Sequence, residues 1–224
     1  MGEGYFTRAT LLPDARAAEW YRHAMQRGPL YCDHAAVWRL FPGDELPRDF
    51  LFRVGAERAD GSRLYYVVSR RAPVAIPGHI SIETKAYQPR FQSGETVVFS
   101  LRANPTVSRG KGGARSKRHD VLMDAKRGAA RDHIPEAVSA AAIGWMVDRA
   151  PSIGLSLDSK HLQFDGYRQR TARRSGGSTL QFSSVDFDGT AVVVDPARLT
   201  PALFAGVGHS KGFGCGLLLV RRAG

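Results

Sequence analysis

A histidine at position 34, with a tyrosine three residues before it, is the strongest candidate for chemistry in this sequence. Histidine titrates near neutral pH, so its side chain can act as a base or as an acid. If Asp33 caps a helix, His34 lies in the first turn, where the helix dipole attracts phosphate and lowers the pKa of the imidazole. Tyr31 then directs its hydroxyl to the same place. The alternative is that His34 belongs to an apolar helix face with Val37 and Trp38.

The glycine-rich segment Gly206–Gly216 is a second candidate site. Closely spaced glycines allow positive φ and expose successive backbone N–H groups, which can form a concave site for an anion. Lys211 supplies a positive charge at its centre, and His209 is a second candidate histidine. The segment precedes a predicted strand, so it matches neither the dinucleotide-binding loop nor the P-loop. It predicts phosphate binding, with a flexible turn as the alternative.

The histidines and acidic residues do not form a recognisable metal-binding pattern. None of the seven histidines has zinc-finger or H-E-x-x-H spacing, and Cys32 and Cys215 are far apart. The acidic residues that cluster near a predicted helix are explained by capping and solubility; they are Asp33, Asp44, Glu45 and Asp49. We therefore expect no metal or other cofactor. Metal-free cleavage suits RNA, whose 2′-hydroxyl can attack the neighbouring phosphate after a base removes its proton.

The charge of the chain favours a polyanionic partner. Its 224 residues include 32 Lys and Arg against 21 Asp and Glu, a formal net charge of +11. No segment approaches the ~20 apolar residues of a membrane-spanning helix, and the basic residues do not follow an amphipathic helix. Nucleic acid is therefore preferred to a membrane surface. The two isolated cysteines and the lack of a signal sequence predict a cytoplasmic location.

The periodicity of the sequence predicts two similar halves. The elements of the first half are the strand Tyr5–Leu12, the helix Asp33–Phe41 and the strands Phe50–Val54, Leu64–Ser69 and Ile80–Tyr87. Those of the second are the strand Glu95–Arg102, the helix Pro135–Arg149, the strands Thr179–Asp186 and Ala191–Asp195, the helix Pro196–Ala205 and the strand Gly216–Val220. This βαββαβ order predicts an α+β protein with two tandem ferredoxin-like domains, residues 1–90 and 91–224.

Basic residues concentrate in three segments. Arg16–Arg27 is interpreted as an exposed stretch, and Ser108–His119 as a mobile, solvated loop. The third segment, Tyr167–Arg174, ends in the turn signal Ser-Gly-Gly and predicts a β-hairpin that can reach into a nucleic-acid groove. Its arginines are Arg168, Arg170, Arg173 and Arg174. Arg168 and Arg170 alternate, so a strand places both on one face.

Four collinear motifs resemble the CasE family, the CRISPR repeat-processing endoribonuclease of the type I-E Cascade complex. The motifs are Tyr31-x-x-His34 followed by Trp38-Arg39-Leu40-Phe41-Pro42, then Arg48-Asp49-Phe50-Leu51-Phe52, Phe99–Pro105 and Ser210–Leu218. They extend in order over nearly the whole chain, and together they are far more specific than any one of them.

The resemblance implies a protein that binds the stem-loop of a CRISPR repeat transcript, the pre-crRNA. It cuts once at the 3′ base of the stem by 2′-hydroxyl attack without a metal, and stays bound to the product crRNA as a Cascade subunit. It also implies that His34 is the catalytic acid or base, that Tyr31 assists it, and that the hairpin Tyr167–Leu180 enters the major groove of the stem. The residues expected to bind RNA are Arg102, Arg168, Arg170, Arg173, Arg174, His209, Ser210, Lys211, Gly212 and Gly214.

Three functions from different classes remain open. The first is a metal-independent endoribonuclease that leaves a 2′,3′-cyclic phosphate. The second is a non-catalytic RNA-hairpin-binding subunit of a ribonucleoprotein complex, and the third is a basic structural or ribosome-associated protein. Tyr31 and His34 favour the endoribonuclease.

Overall fold

The structure is a computed structural model that describes residues 3–43, 46–109, 117–173 and 178–224. At positions 117 and 173 it describes the backbone alone. Some residues of the sequence predictions lie outside the described residues. They are Asp44, Glu45, Arg174 and positions 110–116 of the predicted loop Ser108–His119. No helix of the described residues is long and apolar enough to cross a membrane.

The first half of the chain forms a four-stranded antiparallel sheet with the strand order β2-β3-β1-β4. Its strands are β1 (Gly4–Leu11), β2 (Phe50–Glu57), β3 (Arg63–Ser69) and β4 (Ile80–Tyr87). The helices between β1 and β2 are α1 (Glu19–Met25) and α2 (Pro29–Trp38). Helix α2 buries Ala36 and Val37 in one core cluster with Phe52 and Val67 of the sheet. Residues 70–79 connect β3 to β4 without a helix, as their two prolines predict.

The start of α2 differs from the sequence prediction. The helix begins at Pro29 after Gly28, whose φ is 104°, and proline is well suited to the first helical position. The expectation that Asp33 caps the helix is therefore wrong, because Asp33 lies in the middle of it. His34 lies in the second turn, beyond the backbone N–H groups of the helix N-terminus.

Asp33 is instead a buried anchor, with 4% of its surface exposed. Its carboxylate accepts a hydrogen bond of 2.8 Å from the Tyr65 hydroxyl and forms an ion pair of 2.8 Å with Arg63. Burial raises the pKa of Asp33, while both partners act to lower it. Both partners belong to β3, so this carboxylate fixes α2 to the sheet one residue before His34.

The second half forms a five-stranded sheet with the order β11-β5-β10-β8, in which β9 also pairs with β10. Its strands are β5 (Thr96–Ala103), β8 (Leu155–Ser156), β9 (Leu162–Arg173), β10 (Thr179–Val193) and β11 (Leu218–Arg222). Its main helices are α4 (Ile134–Arg149) and α5 (Pro196–Ala205). The pairing of β9 with β10, from Arg173 opposite Thr179, confirms the predicted hairpin.

One strand of this sheet is longer than predicted. The sequence predicted two strands, Thr179–Asp186 and Ala191–Asp195, but Thr179–Val193 is continuous. Gly189, which lies between the two predicted strands, pairs with β5 and lies so close to the His161 carbonyl that a side chain there would clash. Glycine thus permits a close backbone approach within this strand instead of ending it.

A smaller hairpin extends from the second half. Strand β6 (Thr106–Arg109) pairs with β7 (Lys117–Asp120), which leads into α3 (Val121–Gly128). The predicted loop Ser108–His119 is therefore wrong at both of its ends. Asp120 stabilises the end of this hairpin, because its carboxylate caps α3 and accepts a hydrogen bond of 2.8 Å from the backbone N–H of Ser183.

Both halves have the strand arrangement of a ferredoxin-like unit, with the first and third strands at the centre of the sheet. The central strands are β1 and β3 in the first half, and β5 and β10 in the second. The predicted α+β class with tandem ferredoxin-like units is confirmed. The domain limits 1–90 and 91–224 stay a prediction.

Candidate functional site

His34 lies where the first half meets the glycine-rich segment of the second. Its Nδ1 atom is 2.8 Å from the carbonyl oxygen of Gly212. A carbonyl oxygen can only accept a hydrogen bond, so Nδ1 carries the proton and donates it. When the ring is neutral, Nε2 therefore keeps a free lone pair. The Gly212 carbonyl thus selects the tautomer in which Nε2 can accept a proton.

The surroundings of His34 favour the neutral ring. Burial is the largest influence and lowers the pKa of His34, and the positive charges of Arg48 and Arg27 lower it further. The hydrogen bond to Gly212 acts in the opposite direction. The pKa of His34 is lowered, as the sequence predicts, but the main cause is burial and not the helix dipole.

Tyr31 and His34 lie together, as the sequence predicted. Their ring centroids are 6.2 Å apart in an edge-to-face arrangement, and Phe213 packs against both rings at 5.4 and 6.0 Å. The guanidinium of Arg27 stacks 3.7 Å from the centroid of the Tyr31 ring. The tyrosine is in this way held between a cation and the glycine-rich segment.

Tyr31 and His34 border an open groove of about 750 Å³ lined by α1, α2 and the turn between them. Its other basic residues are Arg22, His23, Arg27 and Arg39. Three of these come from Arg16–Arg27, which the sequence analysis treated as an exposed stretch. The helical spacing of Trp20 and buried Ala24 would have indicated that α1 presents one face to the protein. The groove places several positive charges beside the histidine.

Arg48 is a further residue near His34 that the sequence analysis did not select. A Cβ atom on Gly212 would lie 3.2 Å from Nη1 of Arg48 and 3.5 Å from Nδ1 of His34. Burial lowers the pKa of the Arg48 guanidinium. Arg48 is the first residue of the second of the four motifs, and this position could have identified it as a candidate site residue from the sequence.

The glycine-rich segment has an unusual backbone at Ser210. Its φ of 55° is left-handed, a conformation that non-glycine residues seldom adopt and that often marks a functional site. Asn104 supports it, because its Nδ2 donates a hydrogen bond of 2.7 Å to Oγ of Ser210. Asn104 is itself 4% exposed. A buried amide thus supports the turn that carries Gly212 to His34.

The other predicted residues of this segment occupy different surroundings. Nζ of Lys211 donates a hydrogen bond of 2.7 Å to the Ala205 carbonyl at the end of α5. His209 is exposed and does not line the groove of His34; partial burial and nearby basic residues lower its pKa. Gly214, with a φ of 81°, packs closely over Phe52. Of this segment, Gly212 makes the direct contact with His34.

Three of the arginines predicted to bind RNA line a separate cavity of about 660 Å³ between the two sheets. They are Arg102, Arg168 and Arg170. Arg102 forms a bidentate ion pair with Asp186 at 2.7 and 2.8 Å. The backbone of Arg173 lies in β9, and Arg174 is outside the described residues. The structure therefore separates these arginines from the groove of His34, with Phe213 between the two.

Within the part of the chain that the structure describes, no three His, Cys, Asp or Glu side chains group closely enough to hold a metal ion. The fold and the site together define a tandem ferredoxin-like protein with a histidine in a basic groove. The model of the CRISPR associated protein family matches residues 5–222, so the chain belongs to that family. The resemblance to the CasE family drawn from the four motifs is confirmed.

The chain is similar to two proteins of known family and to two solved structures. The CRISPR system Cascade subunit CasE of Escherichia coli strain K12 is 28% identical over 191 residues, which cover 84% of this chain and 90% of that protein. The CRISPR-associated endoribonuclease Cse3 of Thermus thermophilus is 30% identical over 136 residues, or 61% and 60% of the two chains. A structure of the CRISPR endoribonuclease Cse3 bound to a 19-nucleotide RNA has 25% identity and a TM-score of 0.74, covering 98% of this chain and 99% of the other. Cas6e from E. coli K-12, 22% identical with a TM-score of 0.61 over 98% and 100% of the chains, shares the fold.

Proposed function

We propose that this protein is a metal-independent endoribonuclease that binds the stem-loop of a CRISPR repeat transcript and cleaves it at the 3′ base of the stem. It then remains on the mature crRNA as a cytoplasmic subunit of a Cascade complex. Membership of the family, the relatives named CasE and Cse3, and the net charge of +11 support this proposal. The main structural support is the hydrogen bond between His34 and the Gly212 carbonyl, because it leaves Nε2 free to accept a proton.

His34 acts as the general base in this proposal. Its neutral ring accepts the proton of the 2′-hydroxyl at Nε2, and the 2′-oxygen attacks the adjacent phosphorus. The bond to the 5′-oxygen breaks and that oxygen takes up a proton from solvent, which leaves a 2′,3′-cyclic phosphate on one product and a 5′-hydroxyl on the other. The lowered pKa of His34 supports the base role over the acid role, because the ring is then neutral at pH 7.

The residues around His34 stabilise the charge that develops. Arg27 and Arg39 border the same groove and contact the negative oxygens of the phosphate in its transition state. Tyr31 assists by donating a hydrogen bond to the leaving 5′-oxygen. Positioned donors of this kind act without a metal ion, since guanidinium groups supply the positive charge.

The stem-loop is held by other parts of the second half. The hairpin of β9 and β10 enters the major groove of the stem, and Arg173 and Arg174 bind the RNA. The glycine-rich segment lines the RNA on the side of the cut, through His209, Ser210, Lys211, Gly212 and Gly214. These assignments follow the family resemblance. The shared contact at Gly212 supports them, because it joins this segment to His34.

Cleavage of a repeat hairpin by His34→Ala, Tyr31→Phe and His133→Ala tests the proposal. His133 is an exposed control histidine at the start of α4. We expect His34→Ala to lose roughly 10²- to 10⁴-fold in cleavage rate while it binds the hairpin normally, since a general base contributes about that much. Tyr31→Phe loses less, and His133→Ala cuts like the wild type. A wild-type protein that binds the hairpin without cutting it would support the non-catalytic alternative.

A further inference from the structure

The cavity between the two sheets is lined by more positive than negative side chains. Five arginines and three aspartates line it, namely Arg53, Arg63, Arg102, Arg168 and Arg170 with Asp33, Asp165 and Asp186. Asp33 is already bound by Arg63 and Tyr65, and Asp165 is exposed. Of the four remaining arginines, Arg53 and Arg102 share the carboxylate of Asp186.

Asp186 is paired with two of these arginines at once. Arg102 holds it at 2.7 and 2.8 Å, and Arg53 approaches it at 3.6 Å. Arg53 also donates a hydrogen bond of 2.6 Å to the Ser100 hydroxyl, although its side chain is only 15% exposed. One carboxylate cannot neutralise two half-buried guanidinium groups, so an anion is the natural complement of this cavity.

Strand β9 adds two more positive charges to the same wall. Arg168 and Arg170 alternate along the strand and line the cavity together, and Nε of Arg170 donates a hydrogen bond of 3.1 Å to the Ser184 hydroxyl. Burial, together with the charges of Arg102 and Arg168, lowers the pKa of Arg170. The repulsion within this wall is relieved when a phosphate lies between the guanidinium groups.

The cavity also contains aromatic surface. The rings of Phe182 and Phe213 stack at 5.9 Å, and both residues line the cavity. A nucleic-acid base can stack on a partly exposed ring, which here is Phe213, because Phe182 behind it is only 5% exposed. The volume of about 660 Å³ is that of a site for one small molecule. The combination of arginines and aromatic rings therefore matches a single unpaired nucleotide.

Phe213 relates this cavity to the candidate active site. On one side it contacts the rings of Tyr31 and His34, and on the other it lines the cavity. A nucleotide in the cavity is thus a near neighbour of the phosphodiester at His34. Under the proposed function, the nucleotide before the cut is the last paired nucleotide of the stem, whereas the one after the cut is unpaired.

We propose that the cavity binds the unpaired nucleotide that follows the scissile phosphate, with its 3′-phosphate on Arg53, Arg168 and Arg170 and its base against Phe213. This inference rests on the proposed function, since it takes the cut to lie beside His34. It assigns to the arginines of β9 a role in holding the strand beyond the cut.

Binding of uncleavable hairpins tests the proposal without cleavage. All three RNAs carry a 2′-deoxyribose before the cut and end in a 3′-phosphate. The first ends at that deoxynucleotide, and the second has one more nucleotide at its 3′ end. The third is the first RNA with one extra nucleotide at its 5′ end. We expect the extra 3′ nucleotide to tighten binding to the wild type about tenfold, and the 5′ nucleotide to add nothing. Arg53→Gln should lose this gain, and Arg53→Lys, which keeps the charge, should retain most of it.

Arg8→Gln is the matched control, because Arg8 is exposed and pairs with Glu83 away from the cavity. It should keep the full gain, and thermal melting establishes that the variants are folded. Equal affinity of the wild type for the hairpins with and without the 3′ nucleotide would overturn the inference, as would a gain that survives in Arg53→Gln. If the wild type binds none of the hairpins, the proposed function itself fails.

Discussion

The imidazole of His34 and the carbonyl oxygen of Gly212 form a hydrogen bond of 2.8 Å across 178 positions of the chain. The histidine belongs to the first ferredoxin-like half and the carbonyl to the second. The tautomer of the proposed base is therefore set by the half of the molecule that does not carry it. Packing between the halves becomes a condition for catalysis as well as for stability.

The pH dependence of cleavage follows from the lowered pKa of His34. A base is active when neutral, so the rate should rise with pH through the pKa of His34 and then level off. The midpoint should lie below the ordinary histidine value of about 6.5. Single-turnover rates measured from about pH 4.5 to about pH 8 give this midpoint. A rate that falls with pH across this range would indicate an acid instead.

Replacing Arg48 by Gln should move that midpoint to higher pH. The positive charge of Arg48 lowers the pKa of His34, so its removal makes the ring easier to protonate. The same single-turnover series measures the shift, with Arg198→Gln at an exposed position of α5 as the control. A midpoint that stays in place would mean that Arg48 does not act on His34.

A methyl group at Gly212 should disturb the site without disturbing the fold. The new Cβ would lie 3.2 Å from Nη1 of Arg48, which ends a flexible side chain, and 3.5 Å from Nδ1 of His34. We expect Gly212→Ala to cut roughly 10- to 100-fold more slowly, since small displacements at a site are costly. Gly144→Ala is the control, because Gly144 is an exposed position of α4 and nothing lies within 4 Å of its added methyl group. Full activity of Gly212→Ala would contradict the positioning role.

The pairing of Tyr31 with His34 was accessible from the sequence because both residues lie on one short helix. Residues three apart on a helix share a face, and their spacing alone brings them together. Most strands were also predictable, since alternation marks a half-buried strand. The Ser-Gly-Gly signal in the sequence predicted the hairpin of β9 and β10.

What the sequence could not predict depends on distant partners. Asp33 has the residue type of a helix cap, and only Arg63 and Tyr65 on β3 make it a buried anchor. The carbonyl of Gly212 has no side-chain signature at all. The same holds for Arg102, whose charge is engaged by Asp186, 84 positions away. Local patterns indicate elements, whereas these contacts arise when the two sheets meet.

The buried pair of Tyr65 and Asp33 should contribute measurably to stability. Removing the hydroxyl in Tyr65→Phe leaves the carboxylate with one partner fewer, which costs about 1 to 3 kcal/mol for a hydrogen bond to a charged group. Tyr66→Phe, at the adjacent position on β3, should change the free energy of unfolding by less than about 0.5 kcal/mol. Urea denaturation of both variants gives the comparison. Equal stabilities would mean that the hydrogen bond has no net effect.

RNA binding should depend strongly on salt. About five phosphate contacts give a slope near −4 in a plot of log affinity against log salt concentration. The double variant Arg168→Gln and Arg170→Gln should bind the flanked hairpin more weakly and flatten the slope by about 1 to 2. Arg8→Gln should leave the slope unchanged, as its charge is paired with Glu83. An unaltered slope in the double variant would exclude both arginines from phosphate contact.

A repeat hairpin with one 2′-deoxyribose before the cut tests the central claim most directly. The account predicts that the protein binds this RNA as tightly as the all-ribose hairpin and leaves it uncut. The all-ribose hairpin should instead yield a 2′,3′-cyclic phosphate, detected by mass spectrometry of the product, with chelator present throughout. Cleavage of the deoxy substrate at the same bond would contradict 2′-hydroxyl attack and the role of His34 as its base.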